Sequence, residues 1–126
     1  MPAFNFNKAV IGGNVGAEPT ITYDDKANIK RFRFNVCVNM IYRDRYGEIR
    51  NEPNWFTVTG SGRLAEFVER NCHKSCPVLV EGRLRNIKLK GADGTEHFVT
   101  QIWAENVQFP ASSKNQDNES HELLPE

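Results

Sequence analysis

The run KRFRFNVCVNMIY, residues 30–42, constrains the fold more than any other part of the chain. Phe32, Phe34, Val36, Val38 and Met40 share one parity, while Arg31, Arg33, Asn35, Cys37 and Asn39 share the other. A helix would scatter both sets around its circumference. Alternation at period two over this length needs a strand with one buried and one wet face. Tyr42 continues the buried parity, at a strand end where a bulge or twist can turn it outward. The chain must therefore supply a second layer to cover the aromatic and branched face.

The segment NWFTVTGSGRLAEFVERN, residues 54–71, supplies part of it. A strand over 53–59 puts Phe56 and Val58 on one face and Trp55, Thr57 and Thr59 on the other. Gly60 and Gly62 break it, and a helix is expected over 62–71, with Leu64, Phe67 and Val68 forming one apolar stripe. A core-facing strand thus hands over to a core-covering helix and leaves a tryptophan pointing away.

The remaining elements are strands. KAVIGGNVG, residues 8–16, reads as a strand whose glycines mark bends or close backbone approach, and residues 21–23 as a short extended piece. RDRYGEIRN, residues 43–51, is a long polar hairpin connection. In VLVEGRLRNIKL, residues 78–89, Val78, Val80 and Leu84 share one side, and Arg83 and Arg85 the other. Gly82 within it suggests the bend of a closing barrel. GADG, residues 91–94, is a turn, and the chain returns as a strand over 95–109. The order is strand, strand, strand, helix, strand, strand. That is an all-β chain with the element order of an OB-fold: a five-stranded Greek-key barrel with one helix between strands 3 and 4. The domain is expected over residues 1–109. Residues 110–126 lack periodicity and read as a disordered acidic tail.

Charge follows the same division. Residues 1–109 carry 15 Lys and Arg against 12 Asp and Glu, and residues 110–126 carry one Lys against four acidic residues. A mildly basic body with an acidic tail suits a nucleic-acid binder whose tail faces other proteins. Three cysteines, an odd count, argue against a disulfide framework and for a reducing compartment, hence the cytoplasm. No apolar run approaches the ~20 residues of a membrane helix. Enzymatic readings fail for want of parts. There is no Walker loop, no dinucleotide glycine signature, no G-x-S-x-G elbow and no paired His and carboxylate at catalytic spacing. The Cys72-His73-Cys76 cluster falls short of four zinc ligands. No cofactor, metal or catalytic residue is expected.

Three segments carry a resemblance. FNKAVIGGNVGAEPTITY resembles the start of bacterial single-stranded DNA-binding proteins, with their Asn-Lys, strand, Gly-Asn-Leu-Gly-x-x-Pro run. NWFTVTGSGRLAEF is similar to the family's Glu-Trp-His-x-Val-x-x-Phe-Gly-Lys-Leu-Ala-Glu, and PVLVEGRLRNIKLKGADG to its Val-x-Val-Glu-Gly-x-Leu hairpin. The match runs in register from about residue 7 to residue 109. It implies a homotetramer, or a dimer, that wraps single-stranded DNA without reading sequence, in replication, recombination and repair. By position it implies that Trp55 and Tyr42 stack on bases and that Lys8, Arg63, Lys74, Arg85 and Lys88 meet phosphates. Arg31, Arg33 and Arg83, on wet strand faces, complete the candidate DNA-binding set.

The resemblance also has gaps. The family's stacking Phe falls on Ser61 and its hairpin Trp on Leu89, and its packing His is Phe56. Trp103 stands where relatives carry a smaller residue, and reads as an interface residue in preference to a replacement platform. The tail ends ELLPE without the family's terminal Pro-Phe, though it remains the segment expected to meet replication and repair proteins. The alternative reading is a primosome or replication-restart accessory barrel that mainly binds proteins; an RNA-binding barrel is a third class.

Overall fold

In a computed structural model, the structure describes residues 3–110. The expected tail lies outside the described residues except for Pro110. The elements run β1 (Ala9–Val15), β2 (Thr20–Asp24), β3 (Ile29–Arg43), β4 (Ile49–Ser61), α1 (Arg63–Asn71), β5 (Pro77–Lys90) and β6 (Glu96–Gln108). Neighbouring strands follow the order β1-β5-β6-β4-β3-β2, and β1 also pairs with β3. That extra pairing closes a five-stranded barrel and leaves β2 as a flap on β3. The short parallel contact of β4 with β6, Val58 beside Ile102 and Thr59 beside Trp103, completes the Greek-key closure.

The alternation read from the sequence drives the closure. Phe32, Phe34, Val36, Val58, Val78, Val80 and Ile102 all point inward and are buried. Each such side chain contributes about 1.5–3 kcal/mol on leaving water. Helix α1 plugs the barrel with Ala65 and Val68, both fully buried, while Leu64 packs at the margin. Phe67 lies against Phe109, ring centroids 5.7 Å apart. The helix starts at Arg63, one residue later than its apolar stripe suggests, because Gly62 takes a left-handed φ of 77° as its cap. At Gly82 the β5–β6 register slips, so that Glu81 faces Asn106 but Gly82 faces Ala104. A side chain at Gly82 would run into the Trp103 carbonyl oxygen, so the bend expected there rests on backbone-to-backbone contact.

Three expectations need correction, for one reason. β4 begins at Ile49, not at residue 53, because β3 and β4 continue as a two-stranded ribbon beyond the barrel. Pro53 lies inside that ribbon, where β3 is the only neighbouring strand among the described residues and a proline is tolerated at a sheet edge. Met40 and Tyr42 keep the buried parity but are 54% and 44% exposed, because the described residues lay no second layer beneath the ribbon. Leu84, placed with Val78 and Val80, is likewise half-exposed where the β5–β6 hairpin leaves the barrel.

Candidate nucleic-acid interface

Charged and aromatic side chains gather on the outward parity. In-register pairs set Thr20 beside Arg33, Arg33 beside Thr59, Thr59 beside Trp103, and Trp103 beside Arg83. Asn7 extends the row. Its side chain donates to the Leu84 carbonyl and accepts from the Leu84 N–H, each at 2.8 Å, so it continues the ladder in which Ala9 faces Gly82. Lys8 therefore comes opposite Arg83. One row, Lys8–Arg83–Trp103–Thr59–Arg33–Thr20, crosses the outside of the barrel. On one side of that row Arg31 stands between Thr22 and Ser61, and on the other side Arg85 stands beside Gln101.

Trp55 stands on the same face. It pairs with Cys37 and is 59% exposed. Its ring rests on the β1–β2 connection so closely that a Cβ on Gly16 would come within 2.6 Å of Cζ3. The indole thus touches backbone at its six-membered ring and is otherwise largely exposed. Four residues separate Trp55 from Thr59, roughly 13 Å along the strand. Lys74 lies at this end, its backbone N–H donating to Glu18 Oε2 at 3.1 Å, and Arg63 opens α1 just past Ser61.

Tyr42 is not brought to Trp55. The β3–β4 register runs unbroken from Arg31↔Ser61 to Arg43↔Ile49, so no bulge turns Tyr42 to the outward parity. It is exposed on the far arm of the ribbon instead. Lys88 sits on the other hairpin, paired with Glu96 at 3.2 Å.

Three of the candidate cations already have carboxylate neighbours: Arg83 with Glu105 at 3.1 Å, Arg31 with Asp24 at 3.8 Å, and Lys88. These pairs are about half-exposed, where an ion pair contributes about 0–1 kcal/mol, so a phosphate can displace the carboxylate. Lys8, Arg33, Arg63, Lys74 and Arg85 make no ion pair among the described residues. Arg85 lies over the Trp103 ring, its guanidinium carbon 4.8 Å from the centroid. The sequence could not reveal that contact, which joins residues two strand positions out of register.

The cysteine cluster takes a structural part. Cys72 is buried, and burial pushes its thiol up to about 12, so it stays a thiol at neutral pH. Cys76 Sγ accepts from the His73 N–H. Among the described residues no three His, Cys, Asp or Glu side chains are grouped to hold a metal ion.

Known proteins share this barrel. The single-stranded DNA-binding protein of Xanthomonas campestris pv. campestris is 32% identical over 107 residues, 85% of this chain and 62% of that protein. Single-stranded DNA-binding protein 1 of Clostridium acetobutylicum is 32% identical over 108 residues, 86% of this chain and 96% of that one. A structure described as a Plasmodium falciparum SSB complex with single-stranded DNA superposes with a TM-score of 0.78 at 23% identity, covering 88% of this chain and 100% of that one, a likeness of fold. The chain spans about three fifths of the length of the first curated relatives it matches. The model of the "Single-strand binding protein family" matches residues 6–110, so barrel, hairpins and outward row all fall within one match, and the chain belongs to that family.

Proposed function

We propose that this chain binds single-stranded DNA without reading its sequence, in replication, recombination and repair, and catalyses nothing. The observation that carries the reading is the outward face: an open indole at Trp55 on the same side as a row of cations that crosses the barrel. Unpaired bases offer flat rings and a phosphate line, and a binder indifferent to sequence needs an aromatic surface for the first and Lys or Arg for the second. Arg33, Arg85, Lys8, Arg63 and Lys74 meet phosphates directly. Arg31, Arg83 and Lys88 do so by exchanging their carboxylates. Tyr42 offers a second stacking ring on the β3–β4 arm. The assembly is a homotetramer or a dimer, and residues 110–126 meet replication and repair proteins. The family, the relatives' names and the fold support this reading together.

Titration with oligo-dT, followed by anisotropy of the labelled strand, tests it. Binding is expected to weaken with salt, the slope of log K on log salt being about −0.7 per phosphate neutralised. Trp55→Ala should weaken binding by about 1–3 kcal/mol at unchanged slope. Absence of binding at micromolar strand would overturn the reading and favour the protein-binding accessory role. Preference for RNA over matched DNA would favour the RNA-binding class.

A further inference from the structure

We infer that Trp103 is a second base-stacking platform, facing a groove that takes one nucleobase of the bound strand; this deepens the reading just given and rests on it. The groove, about 260 Å³, lies on the outward face where β2, β3, β4 and β6 meet, between Trp103, Arg31, Arg33, Thr22, Thr59 and Gln101. Its size is below that of a drug-sized pocket, which suits a single ring system. The floor is small by construction. Thr59, a short side chain, pairs with Trp103 in the parallel contact, and Gly60 beside it lines the groove. The indole therefore borders a floor of threonine and glycine.

Arg85 fixes the ring. It comes from β5, on the opposite flank of β6 from β4, and does not line the groove. Its guanidinium lies 4.8 Å from the Trp103 centroid, so the indole, itself part of the groove wall, is braced by a cation. Arg31 and Arg33 stand across from it on β3, two residues apart on one face. A base entering the groove meets an aromatic ring on one side and two guanidiniums on the other, which is the pairing of stack and phosphate contact that a single strand requires. Ser61, two residues along β4 from Thr59, pairs with Arg31 and has no ring to offer. Trp103 thus supplies an aromatic surface one strand away from a position that lacks one, and the interface role read from the sequence gives way to it.

Two experiments decide this. In a Trp55→Phe protein, Trp103 is the remaining tryptophan and reports on its own groove. Oligo-dT that binds by anisotropy is expected to quench its emission in step with binding. Independently, Trp103→Leu, which fills space without an aromatic face, should weaken oligo-dT binding roughly five- to a hundredfold with the salt slope unchanged, and Trp103→Phe should restore most of it. DNA binding with Trp103 emission unmoved, or Leu serving as well as Phe, overturns the platform while leaving the DNA-binding function standing. Quenching by concentration of the protein itself, with oligo-dT adding nothing, would assign the groove to a second copy of the chain and also overturn it. Loss of all binding in the unaltered protein removes the functional reading and the platform with it.

Discussion

Strands β3 and β4 run as one pair in unbroken register, yet their two halves obey different physics. In the barrel half, residues 31–38 against 54–61, Phe32, Phe34 and Val36 of β3 are buried, Val38 is half-buried, and the odd side chains are exposed or nearly so. In the ribbon half, residues 39–43 against 49–53, both parities are exposed. The pattern of side chains barely changes along the strand. What changes is the presence of a second layer. Alternation therefore states which face a residue takes, and only the packing of other elements decides whether that face is dry.

The largest consequence is a contrast in stability. Phe34 and Met40 share a strand, a parity and an apolar character, but Phe34 is 3% exposed and Met40 54%. Phe34→Ala should cost about 3–5 kcal/mol in denaturant unfolding, through lost burial and the cavity left behind. Met40→Ala should fall within about 0.5 kcal/mol of the unaltered chain. A large loss at Met40, growing as protein concentration falls, would show that the ribbon is covered by another subunit.

The same contrast explains what the sequence disclosed. The barrel half was legible: the alternation of residues 32–38, the outward Trp55 and the helix after Gly62 follow from local pattern alone. Residues 49–51 read as part of the hairpin connection, with the strand beginning only at residue 53, because a strand with no buried face leaves no period. The row from Lys8 to Thr20 was not legible as a row. Its members sit on six elements or their extensions, and their alignment depends on long-range register, including the slip at Gly82. Arg31, Arg33, Arg83 and Arg85 could be named individually. Their convergence on Trp103 could not, and neither could the identity of the ring that packs on Gly16, the last glycine of the first strand segment.

A glycine in each region sharpens the comparison at intermediate size. Gly82 lies where backbones of β5 and β6 touch, and Gly94 lies at a hairpin tip with φ 88° and open space around it. Gly82→Ala should destabilise the whole domain by about 1–3 kcal/mol, since the backbone of Trp103 must move to admit a methyl group. Tryptophan emission should shift with it. Gly94→Ala should leave the unfolding midpoint nearly unchanged and lower amide protection only around residues 91–95, because a ribbon tip opens without the barrel. Equal loss of global stability in both variants would mean that hairpin and barrel unfold as one unit.

The smallest effect belongs to the tips themselves, where charge replaces packing. Asp44 accepts from the Glu48 N–H and the Tyr46 N–H, each at 2.9 Å, and from Arg50 Nε at 2.8 Å. These bonds, the Glu48 N–H foremost and then Arg50, hold the Asp44 carboxyl below its ordinary value. Asp93 is held low in the same way, by the Thr95 hydroxyl first and then its N–H. A depressed carboxylate contributes order that is fully present above its unfolded pKa, about 3.9, and is lost as pH falls through the lower folded value. The two tips should accordingly keep their amide protection from pH 7 down to about pH 5 and lose it progressively below about pH 4. Hydrogen exchange at Tyr46, Glu48 and Thr95, corrected for intrinsic rates, measures this against Val36 and Val58 in the barrel. Asp44→Asn should remove the pH dependence at Tyr46 and Glu48 while leaving that at Thr95. Persistence of acid-sensitive protection at Tyr46 in that variant would place the titrating group elsewhere and detach hairpin order from the Asp44 turn.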